Sequence, residues 1–238
     1  MLADTLHLLR QQVAEAARRA GRPPEDVTLL AVSKHVSLTL LHKAATAGQT
    51  HFGENYLQEA RGKIEALPDT LSWHFIGHLQ SNKCREAVRL FHCIETVDRP
   101  ELARSLARHA AEAGKVLPVL VQVNIGMEEQ KHGVPPADCP TLLRLLGEHA
   151  SLRVQGLMTM PPYEDNPEQS RPHFRALRLL AVEMQAQGLL PAGNQLQLSM
   201  GMSADFPIAI EEGATIVRVG TALFGPRQPQ SHSNEETK

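Results

Sequence analysis

The sequence predicts a single α/β domain, a (β/α)8 barrel of the TIM type with an extra helix at its N-terminus. Three observations predict it. Eight short, largely apolar runs recur along the chain, the first of them partly β-branched. Seven of the eight are separated from the next by a segment with helical spacing of apolar residues, and strict β–α alternation argues for a parallel sheet with helices outside. The 238 residues also suit eight such units, which typically take about 250. A doubly wound open sheet is the alternative, because periodicity does not by itself show closure.

Each element follows in turn. Leu2, Leu6, Leu9, Val13 and Ala16–Ala17 fall at helical spacing and stop at Gly21 and Pro23-Pro24, giving the extra helix over 2–20. Strand one runs over 27–33 and closes on Lys34. Leu38, Leu41, Ala45 and Ala47 then mark a helix that ends at Gly48. Strand two covers 51–53 and is followed by a helix over 55–66. Strand three (71–76), a helix (82–90) and strand four (93–97) continue the pattern. Leu102, Leu106, Ala110 and Ala113 make residues 100–113 a strong helix, closed by Gly114. The longest apolar run, 117–125, has Val119, Val121, Val123 and Ile125 spaced by two and is strand five. A loop over 126–135 leads to a helix over 138–149, and strand six spans 153–160. A long helix (167–187), strand seven (196–200), a helix (203–212) and strand eight (215–219) complete the set. No repeat, linker or low-complexity stretch divides the domain, which spans 1–227. Residues 228–238, rich in Gln, Pro, Ser, Asn and Glu, read as a disordered tail.

Composition narrows the function classes. Lys plus Arg number 24 against 26 Asp plus Glu, a formal charge of −2, so no basic excess exists to neutralise a nucleic-acid backbone. No run of about 18 apolar residues spans a membrane, and the charged first twenty residues lack the apolar centre of a signal peptide. Cys84, Cys93 and Cys139 form neither a disulfide framework nor a metal knuckle and suit a reducing compartment. A cytoplasmic protein is expected.

Active sites of such barrels lie where strands end and the following loops begin. Strand ends supply Lys34, Asn55, His78, Met158, Ser199, Gly201, Arg218, Gly220 and Thr221, all converging on one mouth. Lys34 is the only lysine that closes a buried-looking strand. Either it simply marks the strand's exit into solvent, or partial desolvation lowers its pKa and lets its amine attack carbonyls. Loops after strands seven and eight often hold a phosphate through backbone N–H groups and hydroxyls. Ser199, Gly201, Gly220 and Thr221 fit that role, with Ser203 as N-cap of the next helix and Asp205 in its first turn. Arg218 sits among apolar neighbours and needs a partner: either a glutamate elsewhere, or a ring nitrogen of a bound cofactor, which an always-charged donor would keep unprotonated. His74 and His78 are four apart, but a strand end and Gly77 intervene and no third ligand is in sequence reach, so no metal is expected.

Several of these stretches carry a resemblance. Ala31-Val32-Ser33-Lys34, His51-Phe52-Gly53-Glu54-Asn55-Tyr56, Trp73-His74-Phe75-Ile76-Gly77-His78-Leu79-Gln80-Ser81-Asn82-Lys83, Gly156-Leu157-Met158, Leu198-Ser199-Met200-Gly201-Met202-Ser203-Ala204-Asp205 and the segment from Gly213 to Gly225 resemble the pyridoxal phosphate homeostasis protein family. The likeness covers roughly residues 5–227. It implies a barrel similar to the N-terminal domain of alanine racemase and pyridoxal 5′-phosphate as cofactor, held as a Schiff base on Lys34. It further implies that Ser199, Gly201, Gly220 and Thr221 hold the phosphate, that Arg218 faces the pyridine nitrogen, and that Asn55 and Met158 line the ring. His78 and Met202 join the cofactor-binding set. Lys131 and His132 fit the family's pattern in the loop after strand five. The implied role is to buffer or deliver the cofactor, without catalytic turnover, as a monomer or weak dimer, with apo-forms of cofactor-dependent enzymes as recipients.

An amino-acid racemase is the alternative. It would need a second domain bringing a tyrosine base to the opposite ring face, whereas Tyr56 and Tyr163 sit at a helix start and in a loop. A Schiff-base aldolase would need a carboxylate on a neighbouring strand end as proton shuttle, and the strand ends offer none convincingly.

Overall fold

The structure, a computed structural model, describes residues 1–162 and 165–226. Tyr163 and the segment 228–238 expected to be a tail lie outside the described residues. Eight parallel strands close into a barrel in sequence order: β1 (Thr28–Val32), β2 (His51–Glu54), β3 (Ser72–Phe75), β4 (Cys93–Val97), β5 (Leu117–Gln122), β6 (Leu152–Met158), β7 (Gln197–Ser199) and β8 (Ile216–Val219). The seam is β1 on β8, in register from Thr28 opposite Ile216 to Ala31 opposite Val219, so the open-sheet alternative falls.

Helices α1 (Leu2–Arg19), α2 (Leu38–Thr46), α3 (Leu57–Ala66), α4 (Cys84–Leu90), α5 (Pro100–Glu112), α6 (Cys139–Gly147), α7 (Arg171–Ala186), α8 (Phe206–Glu211) and α9 (Thr221–Phe224) surround the sheet. Alternate residues of each strand face opposite ways, and β1 shows the consequence. Leu29 and Ala31 join the large core between sheet and helices, while Leu30 and Val32 join a small interior cluster with Ile76, Cys93, Leu120, Met158 and Ile216. The interior also holds polar groups, Glu95, Ser199 and Arg218, all buried.

Several element boundaries differ from expectation: α7 begins at Arg171 rather than 167 and β6 ends at Met158 rather than 160, and two further differences have clear local reasons. β5 stops at Gln122 because the chain then folds back on itself: Val123 bridges Val134, and Asn124 N–H donates to the Val134 carbonyl at 3.0 Å. α8 begins at Phe206 rather than 203. Asp205 Oδ1 accepts the Met202 N–H at 2.6 Å and keeps 202–205 in a turn. Asp205, not Ser203, is the N-cap of α8.

Candidate functional site

β1 delivers its chain end to the barrel mouth, and Lys34 follows two residues after Val32. The peptides on either side of Lys34 are clamped from α3. Lys63, 5% exposed, donates its three N–H bonds to the Ser33 carbonyl (2.5 Å), Glu54 Oε1 (2.7 Å) and Glu59 Oε1 (2.6 Å). Glu59 Oε1 in turn accepts the His35 N–H at 2.6 Å. His35 itself has a φ of 61°, a costly conformation for a non-glycine residue that this clamp holds in place. Ser33 Oγ donates to Glu54 Oε1 at 2.7 Å. Burial pushes the Glu54 carboxyl above its ordinary pKa, against the opposing pull of Lys63.

Lys34 lines a cavity of about 260 Å³ together with Asn55, Met160, Met202, Ser203, Asp205, Arg218, Gly220 and Thr221. That volume is just under the ~300 Å³ at which ligand cavities begin, a size for one aromatic ring with short substituents. Lys34, Asn55, Met202, Arg218, Gly220 and Thr221 are therefore brought together as the sequence suggested. Asn55 Oδ1 is buried there and has no hydrogen-bond partner among the described residues. Such an atom is costly to leave unpaired, and an amide can turn either its oxygen or its NH2 toward a ligand. Gly77 makes this possible: an added Cβ would lie 2.2 Å from the Asn55 carbonyl oxygen, so only glycine lets the two loops meet.

Four expected residues lie elsewhere. Ser199 is wholly buried in the barrel interior. Its Oγ donates to Glu95 Oε2 at 2.6 Å and accepts from Arg218 Nη1 at 2.7 Å, so its hydroxyl is committed to that pair rather than to a phosphate. Gly201 has a φ of 90°, and an added Cβ would lie 2.5 Å from Ala209 Cβ; it serves the close approach of α8 to the chain. Met158 packs in the interior cluster, and the methionine that reaches the cavity is Met160, two residues on. His78 lies on the rim, in a neighbouring cleft with Asn55, Tyr56, Leu79 and Lys83. Its ring stacks on His132, with centroids 3.9 Å apart and planes 18° apart. Partial burial, then the charges of His132 and Arg99, lower its pKa.

Arg218 finds the glutamate that its burial requires, through an intermediary. Its Nη1 reaches Ser199 and its Nη2 the Thr159 carbonyl at 2.8 Å. Ser199 passes the interaction on to Glu95, which His74 Nδ1 meets at 2.6 Å from the other side. Burial would raise the Glu95 pKa, but the His74 hydrogen bond and charge, the Arg218 charge and the Ser199 bond outweigh it, and the net shift is downward. Glu95 escaped the sequence reading, although a lone carboxylate in Cys93-Ile94-Glu95-Thr96-Val97 was the signal for it. Lys63 and Glu59 escaped too; their i,i+4 spacing on α3 was visible, but their target was not.

At the other side of the cavity, Ser203 Oγ accepts long bonds from the N–H groups of Gly220 (3.4 Å) and Ala222 (3.3 Å). Bonds of that length are weak, so these donors can turn to a better acceptor. Backbone N–H groups, the Thr221 hydroxyl and a lysine amine as donors, with the unpaired Asn55 Oδ1 as an acceptor, form a set that fits a small phosphorylated aldehyde with an aromatic ring.

Comparison with known proteins agrees in kind. The family model described as "Alanine racemase, N-terminal domain" matches residues 5–228. The pyridoxal phosphate homeostasis protein of Aquifex aeolicus is 42% identical over 226 residues, 94% of this chain and 98% of that protein. The protein of the same name from Pseudomonas aeruginosa is 42% identical over 229 residues, 95% and 96% of the two chains. Among solved structures, PipY of Synechococcus elongatus with PLP bound superposes with a TM-score of 0.82 at 40% identity, covering 94% of this chain and 100% of that one.

Proposed function

This chain belongs to the pyridoxal phosphate homeostasis protein family, with a barrel of the alanine racemase N-terminal-domain type; from that premise we propose that it binds pyridoxal 5′-phosphate at the barrel mouth, attached to Lys34, and buffers or delivers it rather than turning over a substrate. The single observation that carries the reading is the shared cavity of Lys34, the orphaned Asn55 amide and the Gly220–Thr221 turn. When bound, this cofactor supplies an electrophilic aldehyde and a pyridine ring that can take up electron density. Lys34 contributes the amine, and the α3 clamp on its flanking peptides fixes where that amine starts from. Gly220 and Ala222 N–H groups with the Thr221 hydroxyl favour an anionic group on their side of the cavity. Arg218 lines the same cavity, and if its guanidinium faced the ring its permanent positive charge would disfavour a protonated ring nitrogen, leaving a ring that would stabilise carbanions poorly. That favours holding over catalysis. Lys34 is half-buried rather than sealed, which suits a site that exchanges its ligand with apo-enzymes. The buried, free Cys84, Cys93 and Cys139 suit a cytoplasmic setting, and among the described residues no helix is long and apolar enough to cross a membrane.

Borohydride reduction of the purified protein followed by peptide mapping tests the reading. The expected result is a yellow protein that bleaches on reduction, with the pyridoxyl mass on the peptide containing Lys34. A pyridoxyl mass on another lysine with Lys34 unmodified would overturn the assignment. Racemisation of alanine at enzyme-like rates, on the order of 10 per second, would replace the carrier role by the racemase alternative.

A further inference from the structure

We propose that His78, Asp98 and His132 form a binding site for one divalent transition-metal ion of the zinc class on the rim of the barrel mouth. Each residue offers one ligand atom, and the three atoms lie within 4.8 Å of one another. They come from three successive strand-to-helix loops, those after β3, β4 and β5. The three residues are far apart in sequence, and His74, the histidine nearest to His78 along the chain, is turned inward to Glu95.

The backbone that carries each ligand is tied down. Thr96 Oγ1 donates to the Gly77 carbonyl and Arg99 Nη2 to the Leu79 carbonyl, both at 2.7 Å, so His78 is held on both sides. Gln122 Nε2 donates to the carbonyl of His132 at 3.0 Å, and the Val134 N–H donates to the Gln122 carbonyl at 2.8 Å. Arg99 Nη1 donates to Asp98 Oδ1 at 2.6 Å. An ionised carboxylate accepts several bonds, so this one orients Asp98 without exhausting it. In a tetrahedral site with metal bonds of 2.0–2.2 Å, ligand atoms stand roughly 3.3 Å apart. The two imidazoles are exposed at the rim and stacked with centroids 3.9 Å apart; to bind one ion they would turn out of the stack so that their in-plane nitrogens converge on it.

The donor set selects the ion. Two imidazole nitrogens and one carboxylate oxygen suit zinc, cobalt, nickel or copper, whereas calcium and magnesium prefer oxygen-only cages. Three protein ligands leave at least one coordination position open. Other histidines are engaged differently: His92 Nδ1 accepts the Trp73 N–H, and His51 Nδ1 meets Thr50 Oγ1. The inference is independent of the cofactor reading, since none of the three ligands lines the Lys34 cavity.

Calorimetric titration of the tag-free, full-length protein with Zn²⁺ tests it. One equivalent is expected to bind, and His78→Ala and His132→Ala should each weaken binding by at least about 10- to 100-fold, since that is the cost of losing even an outer-shell partner of a metal ligand. Asp98→Asn should weaken it in the same direction. Circular dichroism should show all three variants folded, because the two rings are at the surface and Asn keeps the shape of Asp. Absence of binding by the unaltered protein, or full-strength binding by both histidine variants, would overturn the site.

Discussion

Glu95 and Arg218 are single charges in otherwise apolar strands, and each makes the other tenable. An unpaired ion in the barrel interior would cost several kcal/mol, yet Ser199 and His74 complete a chain of hydrogen bonds around Glu95. The balance leaves the Glu95 pKa below its ordinary 4.5. Its protons are therefore bound more readily in the unfolded chain. Stability from this group is full above about pH 4.5 and is lost as the pH falls through the folded value. Glu95→Gln should lower stability at neutral pH and flatten the acid limb of a urea-midpoint-versus-pH curve. An acid limb as steep as that of the parent protein would assign acid sensitivity to other carboxylates. That Lys34, Asn55, Arg218, Gly220 and Thr221 share one cavity was legible at this scale because strand ends converge on one mouth whatever the details. Ser199 and Met158 were not, because the same period of two that brings a strand end to the mouth also turns alternate side chains into the interior. Only three-dimensional pairing shows that the Ser199 hydroxyl has a nearer claimant in Glu95.

α3 acts on the site as an element, not through contact with the ligand cavity. It carries Glu59 and Lys63 one turn apart and reaches both peptides that flank Lys34. The side chain of Glu54 beneath is fully buried, with Lys63 as its counter-ion. Removing one partner of a buried pair costs about 3–5 kcal/mol, largely because the other is left charged and alone. Lys63→Met should therefore lower the unfolding free energy by about that amount in urea titrations. The double variant Lys63→Met/Glu54→Gln should recover more than half of it, since the stranded charge is gone. Equal losses in the single and double variants would mean that Lys63 acts through the Ser33 carbonyl or Glu59 instead. Two of the element boundaries that the sequence misplaced, at the end of β5 and the start of α8, have the same kind of cause. A side chain or a returning loop segment supplied hydrogen bonds that periodicity does not register.

For the whole molecule, the alternation of strands and amphipathic helices was readable, because each helix shows one apolar face to the sheet. Closure was suggested only by the count of eight units in this length, not by periodicity, because it depends on β1 meeting β8 from the two ends of the chain. The structure closes that seam with α1. Its buried face, Leu6, Leu9, Val13, Ala16 and Ala17, packs against α2 on one side and α8 and α9 on the other. Polar bonds follow the same span: Arg10 Nη2 to the Gly48 carbonyl at 2.7 Å, and Arg22 Nη1 to the Ala214 carbonyl at 2.8 Å. An extra helix placed this way should share the stability of the barrel rather than ride on it. Leu6 is 1% exposed, and truncating such a leucine typically costs about 2–5 kcal/mol. If α1 staples the seam, Leu6→Ala should lower amide-exchange protection in β1 and β8 by the same free energy as in α1, in one cooperative unit. If α1 were only an appendage, protection would fall in residues 2–19 alone while the strands at the seam kept theirs.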